Sequence, residues 1–192
     1  MKIRDIDIRK QLHIEIALEH HDDPSTKIID ELGLCRGQVR VDIAAVNGKF
    51  YGYEIKSPQD TLVRLPKQAE VYSQIFDYMT LIMHESFYQK SLEIIPDWWG
   101  ITIANFKNNQ LILEEVKTRQ ENKSINPLAL VELIWKDEAI EMLKQKDAHK
   151  GYINKSRPII WSRLCEVYDI EDLKTAVRNI LKTRHYREFV QQ

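Results

Sequence analysis

Asp42, Glu54 and Lys56 are the residues of this chain whose types and spacing best suit chemistry. They lie in "RVDIAAVNGKFYGYEIKS", Arg40 to Ser57, which reads as two strands joined by a tight turn at Asn47-Gly48. Alternation along a strand puts Glu54 and Lys56 on one face and Tyr51, Tyr53 and Ile55 on the other. Val41, Ile43 and Ala45 join that aromatic and branched face, which is the expected core. Asp42 then shares the opposite face with Ala44 and Val46. Two carboxylates meeting on a mostly apolar sheet repel unless something positive lies between them. A divalent cation does this, and carboxylate oxygens are hard ligands suited to Mg²⁺ or Mn²⁺. A lysine beside such an ion can orient water and stabilise charge developing on a phosphate. The plain alternative is a solvated strand face whose charges make weak cross-strand pairs.

The metal reading carries a condition on register. A simple two-residue turn would place Tyr53 opposite Asp42 and send Glu54 to the other face. Asp42 faces Glu54 only with a three-residue loop, Asn47-Gly48-Lys49, or with a bulge near Gly52.

The elements that must hold this hairpin follow from pattern. Asp5 to His20 reads as a first helix. Pro24-Ser25 and Gly33 frame a short second helix, Thr26 to Leu32, whose Glu31 is a third acid within reach of the same spot. After the hairpin, "TLVRLPKQAEVYSQIFD" is helical, with the regular part starting near Leu65 because Pro66 is tolerated only in a first turn. "YMTLIM" is a buried strand and "SFYQKSLEII" a helix. "WWGITIANF" and "LILEEV" form a second hairpin about Asn108-Asn109. From Pro127 to about Arg187 the chain is helical, most clearly in "PLALVELIWKDEAIEMLKQ" and "DIEDLKTAVRNILKTR". The expected fold is α/β, a mixed central sheet flanked by helices, with a helical C-terminal extension. The polar stretch at 117–126 suggests a boundary between residues 1–117 and 118–192.

Asp42, eleven intervening residues, then Glu54-Ile55-Lys56 resemble the D…ExK motif of the PD-(D/E)XK nuclease superfamily, which has the restriction-endonuclease-like fold. "QAEVY" supplies Gln68 and Tyr72, similar to the QxxxY signature of RecB-type nucleases, one helical turn apart. More loosely, Glu31 to Tyr72 is similar to a small bacterial and prophage-associated branch of that superfamily. The superfamily's proline before the aspartate is Val41 here. The resemblance covers residues 5–116. It implies a metal-dependent phosphodiesterase acting on DNA. Asp42, Glu54 and the Ile55 carbonyl would hold Mg²⁺, with Mn²⁺ as a substitute, and Glu31 would complete the site directly or through water. Lys56 would position the attacking water, and Gln68 and Tyr72 would hold substrate or water. Two other readings stay open: a module that binds nucleic acid or a protein partner without turnover, since fold does not dictate function, and a nuclease cutting RNA.

Charge is distributed in keeping with a nucleic-acid partner. From Lys144 onward there are 11 Lys and Arg against 6 Asp and Glu, in a chain whose net charge is −1. Arg178, Lys182 and Arg184, at helical spacing, are expected to form a basic stripe for the phosphate backbone, while Arg64 and Lys67 flank the QxxxY helix. A solvated face is again the plain alternative. No GxxxxGK[ST] or GxGxxG is present, so no nucleotide cofactor is expected. No apolar run approaches the length of a membrane span. Cys35 and Cys165 lack the spacing of a disulfide framework or zinc site, which points to a reducing, cytoplasmic setting. Trp98-Trp99 is expected to pack in the core rather than stack on bases. A homodimer is left open.

Overall fold

The first helix forms as its pattern predicts. Helix α1 spans Asp5–Glu19 and turns Ile8, Leu12 and Ile16 inward. The computed structural model describes residues 3–108 and 110–185. Asn109, in the expected second turn, and Arg187, at the expected end of the helical region, lie outside them.

Residues 27–34 depart from expectation. They form strand β1 (Lys27–Leu34), not a helix, and pair antiparallel with β2 (Val39–Val46). The cause is local. Glu31 sits at φ 54°, in the left-handed region that side chains rarely adopt. Ile29 and Leu32 therefore face the same core although they are three residues apart. That spacing imitates one turn of a helix. The opposite strand follows the switch, so that Val41, paired with Leu32, packs in the core that also holds Ala44 and Val46. Val41 thus lies apart from Ile43 and Ala45, contrary to simple alternation.

The hairpin from β2 to β3 (Phe50–Lys56) meets the condition set by the sequence. Val46 pairs with Phe50 and Ile43 with Tyr53, leaving Asn47-Gly48-Lys49 as a three-residue loop. Asn47 closes it, its N–H donating to the Lys49 carbonyl at 3.0 Å and its side-chain oxygen accepting from the Lys49 N–H at 2.8 Å. Gly52 lies in a regular ladder. It is needed for close approach, since a Cβ there would stand 3.1 Å from two carbons of the Phe76 ring and overlap the Met79 sulfur. Gly52→Ala is expected to destabilise the fold by about 1–3 kcal/mol through overpacking, read as a lower urea midpoint. An unchanged midpoint would mean that the Phe76 and Met79 side chains yield freely.

Helix α2 (Leu65–Tyr72) starts at the residue before Pro66, where the missing N–H costs nothing. It leads to β4 (Tyr78–Met83), which is parallel to β3. A short helix, α3 (Tyr88–Leu92), precedes β5 (Gly100–Lys107) and β6 (Gln110–Lys117). The result is one mixed six-stranded sheet in the order β1 to β6, with β3, β4 and β5 parallel and the other neighbours antiparallel. An α/β fold with flanking helices is what the pattern predicts.

Both faces of the sheet are covered, which corrects the expectation that Asp42, Glu54 and Lys56 look away from the core. Helix α1 covers Ile43, Ala45, Tyr53 and Ile55 on one side. The larger core lies on the other side, beneath α2 and the C-terminal helices α4 (Pro127–Val131), α5 (Lys136–Gln145), α6 (Arg157–Val167) and α7 (Ile170–Thr183). Parallel strands are normally buried on both faces in this way. The expected single helix "PLALVELIWKDEAIEMLKQ" is two, because Glu138 turns back to accept from the Trp135 N–H at 2.6 Å and starts a new helix there. Trp99 is fully buried, its ring centroid 6.0 Å from that of Tyr72, so it packs as expected. The polar segment 118–126 is irregular but held: Asn122 is buried and donates to the Ser73 and Phe76 carbonyls at 2.7 and 3.0 Å.

Candidate functional site

The β2–β3 ladder stops at Ile43 and Tyr53, and its register sets Asp42 across from Glu54. Beyond that point Asp42 replaces the ladder with its side chain, Oδ2 accepting from the Ile55 N–H at 2.7 Å. Glu54 is 2% exposed and held from three sides. Lys56 Nζ and Gln68 Nε2 (2.6 Å) both donate to its Oε1, and the Tyr72 hydroxyl lies 2.7 Å from its Oε2. Gln68 and Tyr72 stand one turn apart on α2, 3.2 Å from each other. The Tyr72 oxygen is also 2.7 Å from the Arg40 carbonyl. With one proton, it donates to the carbonyl or to Glu54 but not to both. The Gln68 Oε1 is buried without a donor among the described residues. Strands β2 and β3 and helix α2 thus bring together five of the residues singled out in the sequence.

Glu31 comes close by another route. Its left-handed backbone directs it to Arg9, whose Nη2 donates to Glu31 Oε1 at 2.8 Å and to Asp42 Oδ1 at 3.0 Å. Arg9 also donates to the Asp42 carbonyl at 2.8 Å and lies 3.5 Å from both Asp30 and Asp5. It is a 4%-exposed guanidinium among four carboxylates, and the sequence reading missed it. The signal was present: Arg9 falls on the Ile8, Leu12, Ile16 stripe of α1, where a charge is buried only if paired.

Burial pushes the Glu54 carboxyl up to about 7, with Asp42 adding to the effect and Lys56 and Tyr72 opposing it. Burial also raises Asp42, against the pull of the Ile55 N–H, Arg9 and Lys56. Tyr72 is held neutral by burial and by the neighbouring Glu54. Arg9 stays charged because Asp42, Asp5, Glu31 and Asp30 together outweigh the cost of its burial. Asp42, Glu54, Lys56, Gln68 and Glu31 open onto a cleft of about 650 Å³ that Arg64 and Lys67 also line, while Tyr72 and Arg9 stand behind it. Lys67 pairs with Glu70 at 2.9 Å, while Arg64 has no partner among the described residues.

No group of three or more His, Cys, Asp or Glu side chains is arranged to hold a metal ion among the described residues. The donors beside the Ile55 carbonyl are two carboxylates, Asp42 and Glu54, while Glu31, expected to complete the set, lines the same cleft but is drawn to Arg9. Such a set fits a small hard cation that keeps most of its water, as Mg²⁺ does when one or two carboxylates bind it. Both carboxylates retain unused lone pairs, and burial, the main cause of their raised pKa values, disfavours their charged forms unless a cation balances them.

A model of the family described as bacteriophage P4 protein cII matches residues 7–192. The chain belongs to the bacteriophage P4 protein cII family. Protein cII of Enterobacteria phage P4 is 23% identical over 118 residues, 62% of this chain and 45% of that protein, so the chain matches under half of its relative's length. Among solved structures, a protein of unknown function from Silicibacter pomeroyi is similar at a TM-score of 0.40. The two are 20% identical, over 72% of this chain and 89% of that one.

In this member of the cII family the expected basic stripe on α7 does not form. Arg178 is buried, donating to Asp77 at 2.6 Å and to the Gly48 carbonyl at 2.7 Å, so it clamps the β2–β3 turn from below. Arg184 lies past the end of α7, donating to the Leu133 carbonyl at 2.9 Å and pairing with Glu138. Lys182 lies 3.4 Å from the Ser25 hydroxyl. Helical spacing revealed their charge but not that Asp77 and Glu138 would draw two of them inward. Both cysteines are free. No helix among the described residues is long and apolar enough to cross a membrane.

The Glu54 carboxyl should give this protein a pH dependence of defined sign. Below pH 4.5, its ordinary value, the group is protonated folded and unfolded, and its contribution is most favourable. Between 4.5 and about 7 the unfolded chain releases the proton while the folded chain keeps it, so stability falls as pH rises. In EDTA, wild type should lose up to about 3 kcal/mol relative to Glu54→Gln across that window and nothing more above it. Urea unfolding of the two proteins from pH 4.5 to 8 measures this. A constant difference would show that Glu54 ionises as an ordinary surface acid.

Proposed function

We propose that the chain is a metal-dependent nuclease of PD-(D/E)XK type, hydrolysing phosphodiester bonds, with DNA as the substrate. The observation that carries this reading is the meeting of Asp42, Glu54, Lys56 and Gln68 at one cleft, with Tyr72 holding Glu54 from behind it. A bound Mg²⁺ or Mn²⁺ would be held by Asp42, Glu54 and the Ile55 carbonyl and would supply Lewis-acid polarisation of the scissile phosphate. The protein's own part is positioning. Gln68 and Tyr72 fix the Glu54 carboxylate, leaving the Gln68 Oε1 free to accept from a water or substrate group. Lys56 orients the attacking water and stabilises charge gathering on the phosphate. Arg9 holds Asp42 in place, and Arg64 and Lys67 face the incoming backbone.

The resting ion pairs favour one second reading. Lys56 and Arg9 already satisfy much of the negative charge, an arrangement that also suits a module binding nucleic acid or a partner without turnover. Incubation with linear, nicked, branched and single-stranded DNA, and with RNA, in Mg²⁺, Mn²⁺ or EDTA separates the readings. Metal-dependent cleavage of a DNA substrate is expected. Binding without cleavage in any metal would establish the second reading, and cleavage of RNA alone would reassign the substrate.

A further inference from the structure

A second cavity, of about 520 Å³, lies beside the cleft, lined by Arg36, Glu132, Trp135, Arg157, Trp161 and Arg184 among others. The two adjoin at the turn between β1 and β2. Gly33 lines the second cavity and Gly37 the cleft, and a Cβ at Gly33 would lie 3.7 Å from the Gly37 Cα. Cys35, Arg36 and Gly37 all have positive φ, of 47°, 58° and 86°. Consecutive left-handed residues are strained and persist where the surroundings demand them. Here the turn carries Arg36 into the second cavity, 3.0 Å from Glu132 and 5.9 Å above the Trp161 ring.

The chemistry of this cavity is aromatic and cationic. Three guanidiniums line it, of which Arg36 pairs with Glu132 and Arg184 with Glu138. Arg157 is exposed and has no partner among the described residues. Trp135 is 60% exposed, an unusual cost for so large an apolar ring, and the Arg184 guanidinium lies 4.3 Å from its centroid. The Trp161 indole N–H is buried without an acceptor among the described residues. Exposed indole beside unpaired Arg suits an unstacked base with its phosphate, because every base offers a π-face and every nucleotide a negative charge. Bases within a duplex are stacked on each other and offer no such face.

We propose that this cavity is a binding subsite for single-stranded nucleic acid, a base stacking on Trp135 while Arg157 and Arg36 take the phosphates. The inference rests on the nuclease reading in that the adjoining cleft receives the continuing strand. It extends that reading by assigning a single-stranded or frayed substrate.

Anisotropy of labelled oligothymidylate and oligouridylate of about 12 nucleotides, against a duplex of equal length, tests it with the full chain in EDTA, where no cleavage intervenes. Wild type should bind single strands more tightly than duplex, with the tighter of the DNA and RNA arms naming the sugar preferred. Trp135→Ala should weaken single-strand binding by about 10-fold, and Trp135→Phe should restore most of it. Arg157→Glu should weaken it and reduce the salt slope by about one. Wild-type affinity in both Trp135→Ala and Arg157→Glu, equal affinity for duplex, or no binding at all would overturn the subsite. Cleavage in Mg²⁺ is scored separately. Intact cleavage with no Trp135 effect removes only the subsite, and Trp135-dependent binding without cleavage removes only the nuclease.

Discussion

Lys56→Ala is expected to lower the rate of phosphodiester cleavage in Mg²⁺ by about 10²-fold or more, the scale of losing one preorganised electrostatic group, with DNA affinity nearly unchanged. Lys56 is 3% exposed and its ammonium is fixed against Glu54, so it approaches substrate with little reorganisation to pay for. Affinity should survive because Arg64 and Lys67 line the same cleft and remain in place. Removing the lysine also leaves Glu54 more reluctant to ionise, since Lys56 opposes the upward push of burial. The variant's activity should therefore recover in part at higher pH, a behaviour that a merely unfolded protein would not show. Single-turnover cleavage measured beside equilibrium binding gives both quantities. A wild-type rate in Lys56→Ala would remove the lysine from the chemistry.

Arg9→Met is expected to destabilise the metal-free protein by about 3–5 kcal/mol, the usual cost of removing one partner from a buried ionic cluster. The methionine keeps the aliphatic length that packs beside Ile8 and Leu12. The loss then reports charge: Asp42, Asp30, Glu31 and Asp5 would lose the cation they share, leaving Arg40 3.5 Å from Glu31 and His13 2.8 Å from Asp30. A cation at Asp42 would offset part of that loss, so Mn²⁺ should raise the Tm of Arg9→Met more than that of wild type. Thermal unfolding of both proteins with Mn²⁺ and with EDTA measures the difference. An unchanged Tm in EDTA would show that solvent already screens the cluster.

How far the sequence discloses this molecule varies residue by residue. The Asn47–Lys49 loop was legible because parity leaves few ways to set Asp42 across from Glu54, and the structure takes one of them. The helix carrying Gln68 and Tyr72, the buried strand Tyr78–Met83 and the second hairpin followed from periodicity. Strand β1 was hidden because one left-handed residue, Glu31, gives a strand the spacing of a helix, and no local propensity announces that. The second core was hidden for a different reason. An alternating hairpin shows which side chains share a face, but not that α4 to α7 return to cover the face bearing the charges. Arg178 and Arg184 show the same limit: a sequence reveals the sign of a charge, while its burial depends on acids 101 and 46 residues away.

The central claim is that Asp42 and Glu54 form the metal site of a nuclease, and Mn²⁺ calorimetry on wild type, Asp42→Asn and Glu54→Gln tests it most directly, with circular dichroism confirming that each protein is folded. The account predicts Mn²⁺ binding by wild type that both substitutions abolish. Equal Mn²⁺ affinity in wild type and Asp42→Asn, or no binding by wild type, would contradict it.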